Sequence, residues 1–152
     1  MTIQTMRIRN NAALMLPDFR EFILQFFESD KMVRKPGQAL VELATQIHKD
    51  NLGLFIAHDE SGFTGAMLCQ LSATAFNPGC VVIHLYCKRG GAETRNGLLA
   101  MMCEFAIEGG YNEIIAIDTN NKPMGFAKVF GAVGKPVKLG SVFRFDLEEG
   151  LL

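Results

Sequence analysis

The chain has 152 residues, 49% of them hydrophobic, enough for one domain with its own core and too many for a long disordered tail. With 15 Lys and Arg against 16 Asp and Glu the formal charge is −1, so no positive excess recommends a nucleic acid or an anionic membrane as partner. The cysteines at 69, 80, 87 and 103 form no C-x-x-C or Cys/His pair with zinc-ligand spacing, and they are expected as reduced thiols, mostly buried, with no metal. The first residues lack a signal-peptide core and no apolar run reaches spanning length, which points to a soluble cytoplasmic protein.

Ile3 to Arg9 alternate weakly and predict a first strand. From Pro17 the period changes: Phe19, Phe22, Ile23, Phe26 and Phe27 recur at three- and four-residue spacing, with Asp18, Arg20, Glu21 and Gln25 on the other face. Pro17 suits the first helical position and Asp18 the positive helix end, so a helix from Pro17 to Glu28 is predicted, its aromatic stripe facing the core. Lys31 to Lys35 reads as a polar link. Pro36 opens a second helix in which Leu40, Leu43, Ala44 and Ile47 share a face, with a stop expected near Asn51 to Gly53. Leu52 to His58 and Phe63 to Ala75, separated by the polar Asp59 to Gly62, predict an antiparallel hairpin.

Asn77-Pro-Gly79 reads as a turn that delivers the chain into an apolar strand, Cys80 to Cys87. A basic, glycine-bearing turn, Lys88 to Gly91, opens a helix from Ala92 to Gly109, and Gly109-Gly110 supplies its left-handed stop. A further strand follows from Asn112 to Asp118, and strand, helix, strand in so short a span implies a parallel pair. Pro123 to Phe130 predicts a short helix and Val137 to Leu147 one or two final strands. No repeat or linker divides the chain, so a single domain, 1–152, is expected.

Where a strand feeds a glycine turn that opens a helix, unpaired N–H groups and the helix dipole both face an anion. Lys88, Arg89 and Arg95 cluster at that point beside Gly90 and Gly91; the alternative is that they are only solvated. His84 and Tyr86 lie two apart on the strand before it and are expected to share a face with Val82. His84, titrating near neutrality, is the candidate base, the alternative being a hydrogen-bonded structural histidine; the alternative for Tyr86 is a sheet aromatic with its hydroxyl at the surface. Asp59 and Glu60, at the hairpin tip, either serve solubility or face a cationic amine, and Asp118 reads as a capping or turn residue. His48 and His58 read as solvated edge residues. Cys87 has no separate base within obvious reach and is not expected to act as a nucleophile.

The Leu98-Leu99 pair on the central helix, Asn121 after the fifth strand and the segment Phe126 to Gly131 give this order of elements a family likeness. Over nearly the whole chain it resembles the GCN5-related N-acetyltransferase (GNAT) superfamily. The resemblance implies an α/β (α+β) fold, with a mixed, mostly antiparallel central sheet of six to seven strands flanked by about four helices. It implies acetyl-coenzyme A as acyl donor, held by Leu85, Cys87, Lys88, Arg89, Gly90, Gly91, Arg95, Asn96 and Asn121. It also implies an amine of a small molecule or protein as acceptor, with His84 and Tyr86 catalytic.

Two departures from the family pattern stand out. The family's turn carries Gln or Arg, two variable residues, Gly, one variable residue, then Gly or Ala. Here Lys88, Gly91 and Glu93 occupy those places, or Gly90, Glu93 and Arg95 when counted back from the leucine pair, so Glu93 stands at a key place in either count. Where many members carry a tyrosine on the last short helix to protonate the departing thiolate, this chain has Phe126 and Phe130. The alternative function is therefore a GNAT-fold binding or structural protein that has lost acyl transfer, similar to chains of tailed bacteriophages and then virion-associated. Flat apolar residues near Val142 to Phe145 suit pairing into a homodimer or larger assembly.

Overall fold

In the computed structural model, which describes residues 2–74, 77–111 and 113–116, strand β1 (Gln4–Ile8) leads through a 3₁₀ turn (Asn11–Met15) into helices α1 (Pro17–Glu28) and α2 (Pro36–Gln46). Strands β2 (Leu52–Asp59), β3 (Gly62–Thr74) and β4 (Asn77–Cys87) follow, then helix α3 (Gly91–Glu108) and strand β5 (Ile114–Ala116). The sheet runs in the order β1-β2-β3-β4-β5, antiparallel through β4, and β4 pairs with β5 in parallel across the α3 crossover. This is the mixed, mostly antiparallel α/β architecture expected. Residues 117–152, which carry the predicted end of β5, the short helix and the final strands, lie outside the described residues.

Alternation sorts the strands onto two cores. Leu52, Leu54 and Ile56 of β2 and Ala66 and Leu68 of β3 face α1 and α2, whereas Phe55, Ala57, Met67 and Cys69 face α3. The aromatic stripe of α1 is buried as predicted, with Phe19, Phe22, Ile23, Phe26 and Phe27 all in the first core, each burial contributing about 1.5–3 kcal/mol. On the other side Leu98, Leu99, Met102, Phe105 and Ala106 seat α3 on the sheet.

Four local details differ from the sequence reading. Helix α2 ends at Gln46 rather than near Asn51, because Ile47 caps it and a turn, closed by Lys49 N–H to Gln46 O at 2.9 Å, feeds β2. Asn77, Pro78 and Gly79 are not a turn but the start of β4, paired with Thr74, Ala73 and Ser72. Pro78 is tolerated there because pairing with β5 starts only at Cys80, so no ladder bond is asked of its missing N–H. At the end of α3 it is Gly110, at φ 86°, that takes the left-handed conformation, while Gly109 stays right-handed.

The fourth difference positions the site. On β4 the ladder pairs Val82 with Cys69 and His84 with Leu68, stepping over Ile83. The extra residue is a β-bulge, and it reverses the facing of everything after it. Val82 therefore lies in the α3 core, whereas Tyr86 packs on the α1 core and His84 meets the Phe26 ring of α1, so Val82 does not share their face.

Candidate active site

Strand β4 carries two features: the turn beyond its end that opens α3, and the side chains that the bulge redirects onto α1. Gly90 caps α3 at φ 83° and Gly91 follows at φ 48°, two successive residues in a conformation that glycine adopts freely. Thr94, fully buried, donates its hydroxyl to Arg89 O at 2.8 Å and clamps the bend. The Lys88 and Arg89 amides are already spent, both on Thr64 O at 2.8 and 3.1 Å. The amides of Gly90, Gly91, Ala92 and Glu93 have no acceptor among the described residues. Four free N–H groups at a helix start are what an anionic oxygen cluster needs. Glu93 itself is exposed, so its carboxylate does not fill the bend.

The cations divide. Arg89 forms a two-pronged pair with Asp59, through Nη1 to Oδ2 and through Nη2 to Oδ1 at 2.6 Å, and the guanidinium holds that carboxyl below the usual carboxylate range. This ties the β2–β3 hairpin to the turn and pairs Arg89, expected beside the donor, with Asp59, expected either in solvent or facing an amine. Lys88 is exposed, and Arg95 sits close enough to Cys87 to draw its thiol down against a larger upward push from burial. Leu85 packs toward α3, and Asn96 is exposed one turn into that helix; Asn121 lies outside the described residues.

On the opposite face of β4, His84 is held on three sides. Its ring lies 4.9 Å from that of Phe26, Nε2 is 2.8 Å from Ser29 Oγ, and Nδ1 is 3.6 Å from Asp30 Oδ2. Burial lowers the imidazole pKa below its ordinary value, with Asp30 and the Phe26 carbonyl pushing back, so the ring is neutral at neutral pH and able to accept a proton. Asp30, 4% exposed, also accepts the Met32 N–H at 2.9 Å, which fixes its carboxylate just past the end of α1. The Tyr86 ring lies tilted beside that of Phe22 at 6.0 Å, and Phe22 in turn stacks on Phe63 at 5.0 Å. Ser29 and Asp30 did not emerge from the sequence. The signal that would have found Asp30 is the row Phe22, Phe26, Asp30, in which a carboxylate continues a buried stripe at four-residue spacing.

Beside the aromatic pair, a cleft of about 350 Å³ opens between α1 and the turn, lined by Asp18, Glu21, Phe22, Gln25, Phe63 and Lys88 among others. Cys69 and Cys80 are buried against each other in the α3 core, and that contact together with burial raises the Cys69 thiol far above its ordinary value. Among the described residues no cluster of three or more His, Cys, Asp or Glu side chains is placed to hold a metal, and no helix is long and apolar enough to cross a membrane.

The sequence matches no protein-family model and no curated protein. Solved structures are informative. The aminoglycoside acetyltransferase AAC(6')-Iy, in complex with a bisubstrate analogue of coenzyme A and acetylneamine, superposes with a TM-score of 0.70 at 16% identity, over 97% of this chain and 99% of that one. The aminoglycoside 6'-N-acetyltransferase AAC(6')-Ih of Acinetobacter baumannii gives 0.67 at 14% identity, over 97% and 99%. A ribosomal-protein-alanine N-acetyltransferase of Brucella melitensis biovar Abortus 2308 gives 0.64 at 14% identity, over 95% and 100%. The fold is that of the GNAT N-acetyltransferases.

Proposed function

We propose that this protein is an acetyl-coenzyme A dependent N-acetyltransferase acting on a cationic amine. The observation that carries the reading is the set of four unclaimed amides, Gly90 to Glu93, at the end of the strand whose bulge turns His84 toward α1. Gly90, Gly91, Ala92 and Glu93 are all exposed, so the turn that carries those amides is open to solvent. Their N–H groups, with Lys88, Arg95 and the Asp59-paired Arg89, would hold the diphosphate, and Leu85, Cys87 and Asn96 would flank the donor, with Asn121 completing the set the family resemblance assigns. The bound donor supplies a thioester carbonyl that an amine can attack.

His84 does the proton work. An attacking amine must shed a proton, and a neutral imidazole bonded to Ser29, with the Asp30 carboxylate 3.6 Å away to stabilise the cation that forms, takes it without first losing one of its own. Tyr86, two residues on and on the same face, lines the acceptor side with Phe22. The carboxylates of Asp18 and Glu21 in the neighbouring cleft attract a positively charged acceptor, a small molecule or the amine of a protein, and its apolar part rests on Phe22 and Phe63. The test is release of free thiol from acetyl-coenzyme A in the presence of a panel of polyamines, aminosugars and peptide amines. Release that depends on an amine and is lost in His84→Gln supports the reading; release with none of them, at saturating donor, counts against it.

A second reading is favoured by one specific observation, the commitment of Arg89 to Asp59 at the point where a donor-binding cation is expected. It is a GNAT-fold protein that binds a partner and transfers nothing. In that case acetyl-coenzyme A leaves the melting temperature where it is.

A further inference from the structure

We infer that Ser29, His84 and Asp30 form a proton relay in which the Ser29 hydroxyl meets the acceptor amine, His84 receives the proton, and Asp30 is a positioning residue for the imidazole. The inference rests on the acetyl-transfer reading for the identity of the amine, but its geometry stands alone. Exposure sets the order of the three groups. Ser29 is exposed, whereas the His84 and Asp30 side chains are 14% and 5% exposed, and Ser29 Oγ already occupies the Nε2 edge of the ring at 2.8 Å. An amine arriving from solvent therefore reaches the imidazole through the serine.

The hydroxyl has one hydrogen and two acceptors within reach, Phe26 O at 2.7 Å and His84 Nε2 at 2.8 Å. A serine that only closed a helix end would need the first bond alone, the ordinary back-bond to the residue three before it. The second gives each protonation state a satisfied arrangement. With the ring neutral, Nδ1–H faces the Asp30 carboxylate and the lone pair on Nε2 accepts the Ser29 hydrogen. With the ring protonated, Nε2–H donates to Oγ and the hydroxyl hydrogen swings to the Phe26 carbonyl, with no heavy atom moving. In the transfer step one proton passes from the amine nitrogen to Oγ as the Oγ hydrogen passes to Nε2, and the imidazolium is held by Asp30 until it returns that proton to solvent. Among the described residues Asp30 is the one charged group acting on His84; the residue opposite it on β3 is Leu68.

Nitrogen NMR of the His84 ring in the full chain, read above its titration, tests the relay without requiring activity. The expected result is a neutral imidazole protonated on Nδ1, with an Nε2 resonance that moves in Ser29→Ala and returns in Ser29→Thr. A neutral ring protonated on Nε2 overturns the relay, because such a nitrogen has no lone pair for the serine hydrogen. In amine-dependent thiol release, Ser29→Ala is expected to lower kcat about a hundredfold at unchanged KM for acetyl-coenzyme A and to displace the acidic limb of the pH profile, with Ser29→Thr retaining most of the rate. An unchanged kcat and profile overturn it. Failure of acetyl-coenzyme A to bind the wild-type chain removes the transfer reading instead, and the tautomer then decides the relay by itself.

Discussion

Replacing Gly90 by alanine separates two reasons for a glycine at one turn, and the neighbouring Gly91 supplies the control. At Gly90 the backbone φ is 83° and a Cβ would fall on the Thr94 hydroxyl and within 2.7 Å of Ile3 Cδ1. The left-handed conformation costs a non-glycine residue about 1–2 kcal/mol. Displacing Thr94 also breaks its bond to Arg89 O, a further loss of about 1 kcal/mol. Gly90→Ala should therefore destabilise the chain by about 2–3 kcal/mol, a fall in melting temperature of roughly 5–10 °C for a chain of this size. Gly91→Ala, at φ 48° with nothing within 4 Å of the new Cβ, incurs the conformational penalty alone, about 1–2 kcal/mol. Urea unfolding followed by circular dichroism measures both. Equal losses in the two variants would refute the clamp between Thr94 and the turn as the reason Gly90 is glycine.

The remaining predictions concern charge and polarity. Because the folded pKa of His84 lies below its ordinary 6.5, the unfolded chain binds the proton more tightly, so stability should fall as pH drops from about 6.5 through the folded value. His84→Gln should remove that segment of the pH dependence, and an unaltered stability profile would contradict the burial argument. Thr64 Oγ1 is buried with no hydrogen-bond partner among the described residues, so Thr64→Val should leave stability unchanged or raise it by up to about 1 kcal/mol in thermal or urea melts; a large loss would mean that the hydroxyl is bonded. Arg95→Glu should weaken acetyl-coenzyme A binding about tenfold or more, for loss of one charge-assisted contact, while leaving the melting temperature of the free chain in place. Unchanged affinity by calorimetry removes Arg95 from the donor site.

What was legible in the sequence was what repeats. The five apolar residues of α1 fix its buried face by spacing alone, and the apolar runs of β2 and β3 around a polar loop mark the hairpin, although not the division of their side chains between two cores. The strand, glycine turn and helix around Gly90 were readable for the same reason, since each has a local signature. The bulge at Ile83 was not, because one extra residue in an apolar run leaves no mark in composition, yet it decides which face His84 occupies. The partners of His84 were equally hidden: Ser29 and Asp30 precede it by more than fifty residues and look like the polar end of a helix. Charge pairing was hidden as well. Arg89 reads as a phosphate ligand and Asp59 as a solvated hairpin tip until the fold brings them within bonding distance of each other. The residues proposed for late-strand pairing, Val142 to Phe145, and Asp118, Asn121, Phe126 and Phe130, lie outside the described residues.

The central claim is that the amides from Gly90 to Glu93 receive the diphosphate of an acyl donor, and a thermal-shift titration of the wild-type chain with acetyl-coenzyme A meets it most directly. Mass action predicts a melting temperature that climbs with concentration, by about 2.7 kcal/mol of added stability at a hundred times Kd, with inorganic diphosphate competing. A melting temperature that stays flat into the millimolar range contradicts the claim.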